Sequence, residues 1–294
     1  MGAGRFDLHV HTTASDGTWS PARVVGEAAR LGLAGVGITD HDTVAGLPEA
    51  LAAGERAGIR VVPGIELGSE YGGEEVHVLG YFIDPGHPRL AGILTWLQEV
   101  RWRRLDRMVE RVAELGLPVS RQRVAELAAG GTPGRPHLAR AMVEAGYVGS
   151  VEEAFDRYLE RGRPGYVPRP HLSPSDAVRV IRQAGGCAVL AHPGLLRDDG
   201  VIAELVGAGL GGIEARYPKH RPEQVEEYGR LGRRLGLIVT GGSDFHGPGV
   251  GPPAWLGEVT VPADVVEALA HRARGGGGDS GEERREGGRT GPAA

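Results

Sequence analysis

The stretch "DLHVHTTASDG", residues 7–17, reads as a strand running into a loop, yet it carries Asp7, His9, His11 and Asp16. Side chains two apart on a strand point to one face, so His9 and His11 project together. Further on, His41 follows "GITD", Glu66 closes "VVPGIE" and His77 sits inside "EEVHVLGYFID". His192 follows "AVLA", and Asp244 and His246 close "GGSDFH". A single histidine at a strand end is ordinarily a satisfied polar residue. Six imidazoles and three carboxylates together are a different matter. Burying that many ionisable groups without a cation costs several kcal/mol each. A polynuclear metal centre removes that cost. Nitrogen and oxygen ligands without thiolate point to zinc, manganese or iron. Nine ligands exceed one ion's needs, since a structural zinc site takes about four. A carboxylate such as Glu66 can bridge two ions, and the set allows three with positions left open. Metals grouped in this way suit phosphate-ester hydrolysis, one activating water while others hold the phosphoryl and leaving oxygens.

The elements that must position these residues alternate. "RFDLHV" is a strand, and "SPARVVGEAARLGL" a helix with Ser20 as N-cap and Pro21 at its first position. The strand "AGVGITDHD" leads to the helix "AGLPEALAAGERAG", and "IRVVPGIELGSE" pairs with "EEVHVLGYFID" around "YGGE". The rhythm resumes with a helix at "SPSDAVRVIRQAGG", then the strands "CAVLAHPG", "GGIEARYP" and "LIVTGGSDFHG" separated by helices. Strands alternating with helices predict a mostly parallel sheet. His11, Asp40, His41, Glu66, His192, Glu214, Asp244 and His246 fall just past strand ends. That is the working end of a closed βα barrel. An open sheet would gather ligands at one crevice instead. We therefore predict an α/β protein, a distorted TIM-like barrel. Residues 1–87 form its first part and 166–274 its second. Residues 88–165 show helical periodicity without a strand and read as a helical insertion. Residues 275–294 are Gly-rich and charged, with almost nothing to bury, and predict a disordered tail.

Composition narrows the function. The net charge of −5 argues against a general nucleic-acid coat, and no stable DNA binding is expected. Lys219 is the only lysine. The lone cysteine, Cys187, lies in an apolar stretch and reads as a small buried hydrophobe. No signal sequence or spanning segment is visible, which predicts a cytoplasmic protein without a membrane partner. Oligomeric state is left open.

The motifs "DLHVHTTASDG", "GITDHDT", "PGIELG", "HVLGYFID", "GRPHLAR", "AHPG" and "GGSDFHG" together resemble the polymerase and histidinol phosphatase (PHP) superfamily. They are most similar to its stand-alone phosphoesterases, which act on nucleoside 3′,5′-bisphosphates and short RNA 5′ ends. The resemblance runs over roughly residues 5 to 270, with the motifs in the expected order. It implies a seven-stranded distorted βα barrel and two to three manganese ions, with zinc or iron as alternatives. The matching ligands are His9, His11, Asp16, His41, Glu66, His77, His192, Asp244 and His246, and none is missing. Asp16, His41 and His246 are the candidate catalytic residues.

The same resemblance implies that the insertion clamps a substrate phosphate through Arg135 and His137 of "TPGRPHLAR", at a helix start that favours anions. "RGRPGYVPR" offers Arg161, Arg163, Arg169 and Tyr166, with Arg163 where relatives often carry lysine; Arg163 and Tyr166 join the substrate-binding candidates. "RWRRLDR", residues 101–107, reads as a solvated helix face. His87, His171 and His271 read as surface residues, while His220 lies close enough to a strand end to reach the site. The expected substrate is a nucleotide or short oligonucleotide. A histidinol-phosphatase-type enzyme and a non-catalytic metal-dependent nucleotide-binding module are the alternatives.

Overall fold

The computed structural model describes residues 4–128, 131, 134–168, 170–196, 199–251 and 254–275. The glycine-rich tail predicted from the sequence lies outside them from residue 276, as does Arg169. Eight strands form one sheet: β1 Arg5–Val10, β2 Gly35–Ile38, β3 Arg60–Tyr71, β4 Glu74–Tyr81, β5 Cys187–Leu190, β6 Gly212–Arg216, β7 Ile238–Gly241 and β8 Val261–Pro262. Their spatial order is β7-β6-β5-β4-β3-β2-β1-β8. The first seven therefore lie in chain order, as in a barrel. β4 is the exception in direction, antiparallel to both β3 and β5. β8 is a two-residue strand against the start of β1. The ring closes at the other end of β1, where Val10 bridges Phe245 and the His11 N–H donates to the Phe245 carbonyl at 2.9 Å.

Helices α1 (Pro21–Arg30) and α2 (Leu47–Ala57) follow the first two strands. The Ser20 side chain accepts from the Arg23 N–H, and Gly58 ends α2 in the left-handed region at φ 69°. Five helical segments come next: α3 Pro88–Glu114, α4 Arg121–Ala128, α5 Arg135–Glu144, α6 Val151–Ala154 and a π turn at Phe155–Leu159. α7 (Pro174–Gln183), α8 (Gly200–Ala208), α9 (Pro222–Arg234) and α10 (Ala263–Gly275) complete the chain. None of the described helices is long and apolar enough to cross a membrane.

Three apolar clusters hold this together. Leu105, Met108, Val112, Val124, Leu138 and Met142 form an apolar cluster within the helical segment itself. Leu90 and Leu97, earlier on α3, belong instead to the barrel's core. One long helix thus roots the insertion in the barrel and carries its separate core. At the opposite end, α10 packs against β1, β4, β5, β7 and β8. A helix touching five strands of a ring lies across its mouth, which leaves the other mouth for chemistry. Cys187 is buried beside α10, and burial pushes its thiol up to about 12, so it is an inert packing residue.

Candidate metal centre

The open mouth collects the strand-end residues. β1 delivers His9, and His11 stands one residue past its end. His41 follows β2 and bridges to Glu66 on β3. His192 follows β5, and Asp244 and His246 follow β7. The reversed strand β4 contributes His77 from its middle, opposite Gly68. Reversal explains why a ligand in mid-strand reaches the same mouth as ligands past strand ends.

Glu66 is the hub. Its Oε2 lies 3.2 Å from His9 Nε2, 3.1 Å from His11 Nε2 and 3.1 Å from His41 Nδ1. Its Oε1 lies 2.9 Å from His77 Nδ1 and 3.2 Å from His192 Nε2. Three groups of ligand atoms close enough to share an ion result: His9, His11, Glu66 and Asp244; His41, Glu66 and His77; and His11, Asp16, His41 and His246. Each group shares a residue with another, so the groups form one continuous cluster.

A second layer of side chains aims the first. Glu214 on β6 accepts from His9 Nδ1 at 3.0 Å and from the His192 N–H at 2.9 Å. His9 is thereby fixed with Nε2 facing the cluster. The His246 Nδ1 donates to the Asp244 carbonyl at 2.8 Å, so its Nε2 faces Asp16 Oδ1 at 3.4 Å. Asp40 accepts from the Thr12 N–H, the Thr12 hydroxyl and the Ser15 hydroxyl at 2.7, 2.8 and 2.6 Å, bracing the loop that carries Asp16. Arg140 on α5 reaches the Asp16 carbonyl at 2.8 Å, and the Tyr217 hydroxyl donates to Asp244 at 3.1 Å. Asp42, His192 and Asp244 all hold positive φ, at 52°, 27° and 52°. Non-glycine residues pay for that conformation, and surrounding structure sustains it where function needs the side chain.

The electrostatics call for positive charge. Burial works against charge on His9, yet Glu214, Asp244 and Glu66 hold its pKa well above the usual imidazole value. For His11, burial is likewise outweighed by Asp244 and Glu66, which push it up to about 10. His41 goes the other way, burial bringing it down to about 3. Asp16 and Glu66 resist burial and stay well below the carboxylate range because imidazoles surround them. The carboxylates thus favour positive charge at His9 and His11. His11 Nδ1 and Nε2, Asp16 Oδ1, His41 Nδ1 and His77 Nδ1 are buried without a hydrogen-bond partner among the described residues. Atoms that crowd to about 3 Å without hydrogen-bond alignment converge on a common point instead of on each other. Divalent cations fit such a donor set of nitrogen and carboxylate oxygen.

Beside the cluster opens a cavity of about 140 Å³ whose charged and polar lining is Asp16, His41, Glu75, His77, Arg101, Arg104 and Arg135. Arg135 binds Glu75 at 2.9 and 3.1 Å and lies over the Phe155 ring. The other substrate candidates stand further off. His137 is buried, its Nδ1 accepting from the Gly134 N–H at 3.1 Å, which closes the start of α5. Arg163 is exposed in a turn. Tyr166 lies beneath the Arg104 guanidinium, 5.1 Å from it, and reaches the cavity only through that arginine.

Several sequence readings need correction. "RWRRLDR" is not uniformly a solvated face: Arg101 and Arg104, three residues apart on α3, both turn to the cavity. Arg101 binds Asp42 at 2.5 Å. Arg104 is buried, donates to the Val167 carbonyl at 2.7 Å and keeps Nη2 without a hydrogen-bond partner among the described residues. His171 is no surface residue, its Nδ1 lying 3.2 Å from Glu70. His220 does not reach the cluster, because backbone groups occupy both ring nitrogens, the Ala215 carbonyl at 2.8 Å and the Gly194 N–H at 3.0 Å.

Comparison with known proteins decides the family. A PHP-domain model matches residues 7–91. The chain is 34% identical over 250 residues to the 5′-3′ exoribonuclease Rnm of Escherichia coli, covering 83% of this chain and 85% of that one. It is 36% identical over 260 residues to the 3′,5′-nucleoside bisphosphate phosphatase of Chromobacterium violaceum, covering 84% and 88%. This chain belongs to the PHP family. A third PHP relative, 38% identical over 247 residues, is the phosphoribosyl 1,2-cyclic phosphate 1,2-diphosphodiesterase of Eggerthella lenta, covering 82% and 94%. Among solved structures, one assigned as a metal-dependent phosphoesterase from Bifidobacterium adolescentis matches with a TM-score of 0.86 at 35% identity, covering 91% and 96%. The PHP chain described here is a metal-dependent phosphoesterase.

Proposed function

We propose that this phosphoesterase removes the 3′-phosphate of nucleoside 3′,5′-bisphosphates, leaving the 5′-monophosphate, with two to three manganese ions in the cluster. The observation that carries this reading is the arginine-lined cavity directly beside the ligand cluster. A substrate with phosphates at both ends of a ribose can place one at the cluster and the other against Arg101, Arg104 and Arg135. Arg104 brings an unpaired Nη2 to that task, and guanidinium is well suited to phosphate. The second phosphate then positions the first, remote binding energy organising the reacting centre.

His9, His11, Asp16, His41, Glu66, His77, His192, Asp244 and His246 would hold the metals, which when bound would supply Lewis acidity and activate water. The chain's own groups do the rest. Glu214, Asp40 and Tyr217 hold the ligands in place. Asp16 and His41 border the arginine cavity, and Asp16 and His246 border the wider opening beside it, so these three reach both the cluster and the space where a substrate sits. As candidate catalytic residues they would hold metal on one side and face the reacting phosphate on the other. A 5′-phosphorylated RNA presents the same pair of phosphates at its end, and the exoribonuclease among the relatives favours that second reading. A nucleotide substrate and a single buried cysteine support a cytoplasmic location.

The test is a substrate panel: adenosine 3′,5′-bisphosphate, 3′-AMP, 5′-AMP, a 5′-phosphorylated oligoribonucleotide, a ribose 1,2-cyclic phosphate and histidinol phosphate. The bisphosphate should exceed either monophosphate in kcat/KM by about 10²-fold or more, the worth of a well-made ionic phosphate contact. Phosphorus NMR after chelator quench should show the 3′ resonance lost. Equal rates on the monophosphates contradict two-point binding, and loss of the 5′-phosphate reverses the orientation.

A further inference from the structure

The cluster has a second opening. Asp16, Pro136 and Phe155 border both openings, so they partition the space in front of the metals into two lobes. The arginine lobe, about 140 Å³, has room for a phosphate but none for a length of chain. The second lobe is about 490 Å³ and also touches Asp244 and His246. Whatever a substrate carries beyond its two phosphates must use this wider lobe.

Its charge is the wrong sign for nucleic acid. Among the described residues, Glu152, Asp156 and Glu160 line it against the single ammonium of Lys219. Glu160 is partly offset by Arg135, 3.6 Å away, whereas Glu152 and Asp156 are exposed near the start of the α6 and π-turn segment. Proteins that guide a single strand past a reactive centre line the path with cations and stacking rings. Here the narrow lobe sets three arginines against Asp16 and Glu75, whereas the wide one has the rings of Phe155 and Tyr217 but carries acidic charge.

We infer that Glu152 and Asp156 make the wide lobe a length filter, favouring substrates that end at the reacting phosphate over those that continue as a phosphodiester chain. This rests on the phosphoesterase reading above and specifies its substrate class. Carboxylates at the exit repel each further phosphate that must pass, while a terminal phosphate held at the cluster leaves the lobe to a neutral nucleoside. The repulsion acts between partly solvated charges, so it is moderate and sensitive to salt.

The test compares wild type with the Glu152→Gln/Asp156→Asn double variant on adenosine 3′,5′-bisphosphate and on a short 5′-phosphorylated oligoribonucleotide. Both substitutions are exposed and nearly isosteric, and neither residue binds the cluster or the arginines. Oligonucleotide kcat/KM should rise about fivefold in the variant at low salt, with the bisphosphate value moving less than about twofold. In wild type, the oligonucleotide-to-bisphosphate ratio should climb between about 50 and 200 mM salt as screening shortens its reach, and the variant should lose that climb. An unchanged ratio, or equal gains on both substrates, overturns the filter while leaving the phosphoesterase intact. Wild-type protein that cleaves neither substrate overturns the bisphosphate reading proposed above and the filter with it.

Discussion

Glu214 shows how much of a metal site lies behind its ligands. Its two oxygens accept from His9 Nδ1 and from the His192 backbone N–H, so one carboxylate sets both a tautomer and a loop. A Glu214→Gln amide has one oxygen and cannot accept both bonds. Its NH₂ would face either the His192 N–H or His9 Nδ1, and the latter turns the His9 proton toward the cluster. Metal affinity, read by competition with a chromophoric chelator, should fall about 10- to 100-fold with the fold retained. Unchanged affinity would remove Glu214 from the account. The clustered residues were legible in the sequence as a group because imidazoles at strand ends have no packing reason to be there. Glu214 was visible as one more strand-end carboxylate, but nothing in its spacing marks it as a partner of His9, because the contact joins β6 to β1 across the ring.

At the scale of elements, α3 carries the argument. Charged residues along a helix read alike whether water or a cavity faces them, which is why Arg101 and Arg104 passed as a solvated face. The tertiary contact decides, and it comes from packing the insertion's own core of Leu105, Met108 and Val112 against α4 and α5. That core turns one stripe of α3 toward the cluster. Arg104→Ala should therefore raise KM for the bisphosphate by about 10-fold or more and change kcat much less, the signature of lost binding and not of lost chemistry. Steady-state kinetics on metal-loaded protein check it. An equal loss in kcat, with KM unmoved, would place Arg104 in the chemistry. The alternation of strand and helix was readable from periodicity, as was the hairpin that reverses β4. The two-residue β8 was not, since a strand that short has no period to detect.

For the whole molecule, the two mouths of the barrel divide the labour: α10 closes one for stability, and the other gathers ligands from strands far apart in sequence around Glu66. Ring closure through Val10 and Phe245 sets His9 and His11 beside Asp244 and His246, so the site exists only when the barrel does. The centre should hold more than one ion, because three ligand groups share Glu66, His11 and His41 without any one group exhausting the nine. The most direct test is elemental analysis of the chelator-stripped chain after reconstitution with manganese and removal of excess metal. The account predicts two to three equivalents per chain, with hydrolysis lost on stripping and regained on reconstitution. One equivalent or none, or hydrolysis that survives complete stripping, would contradict it.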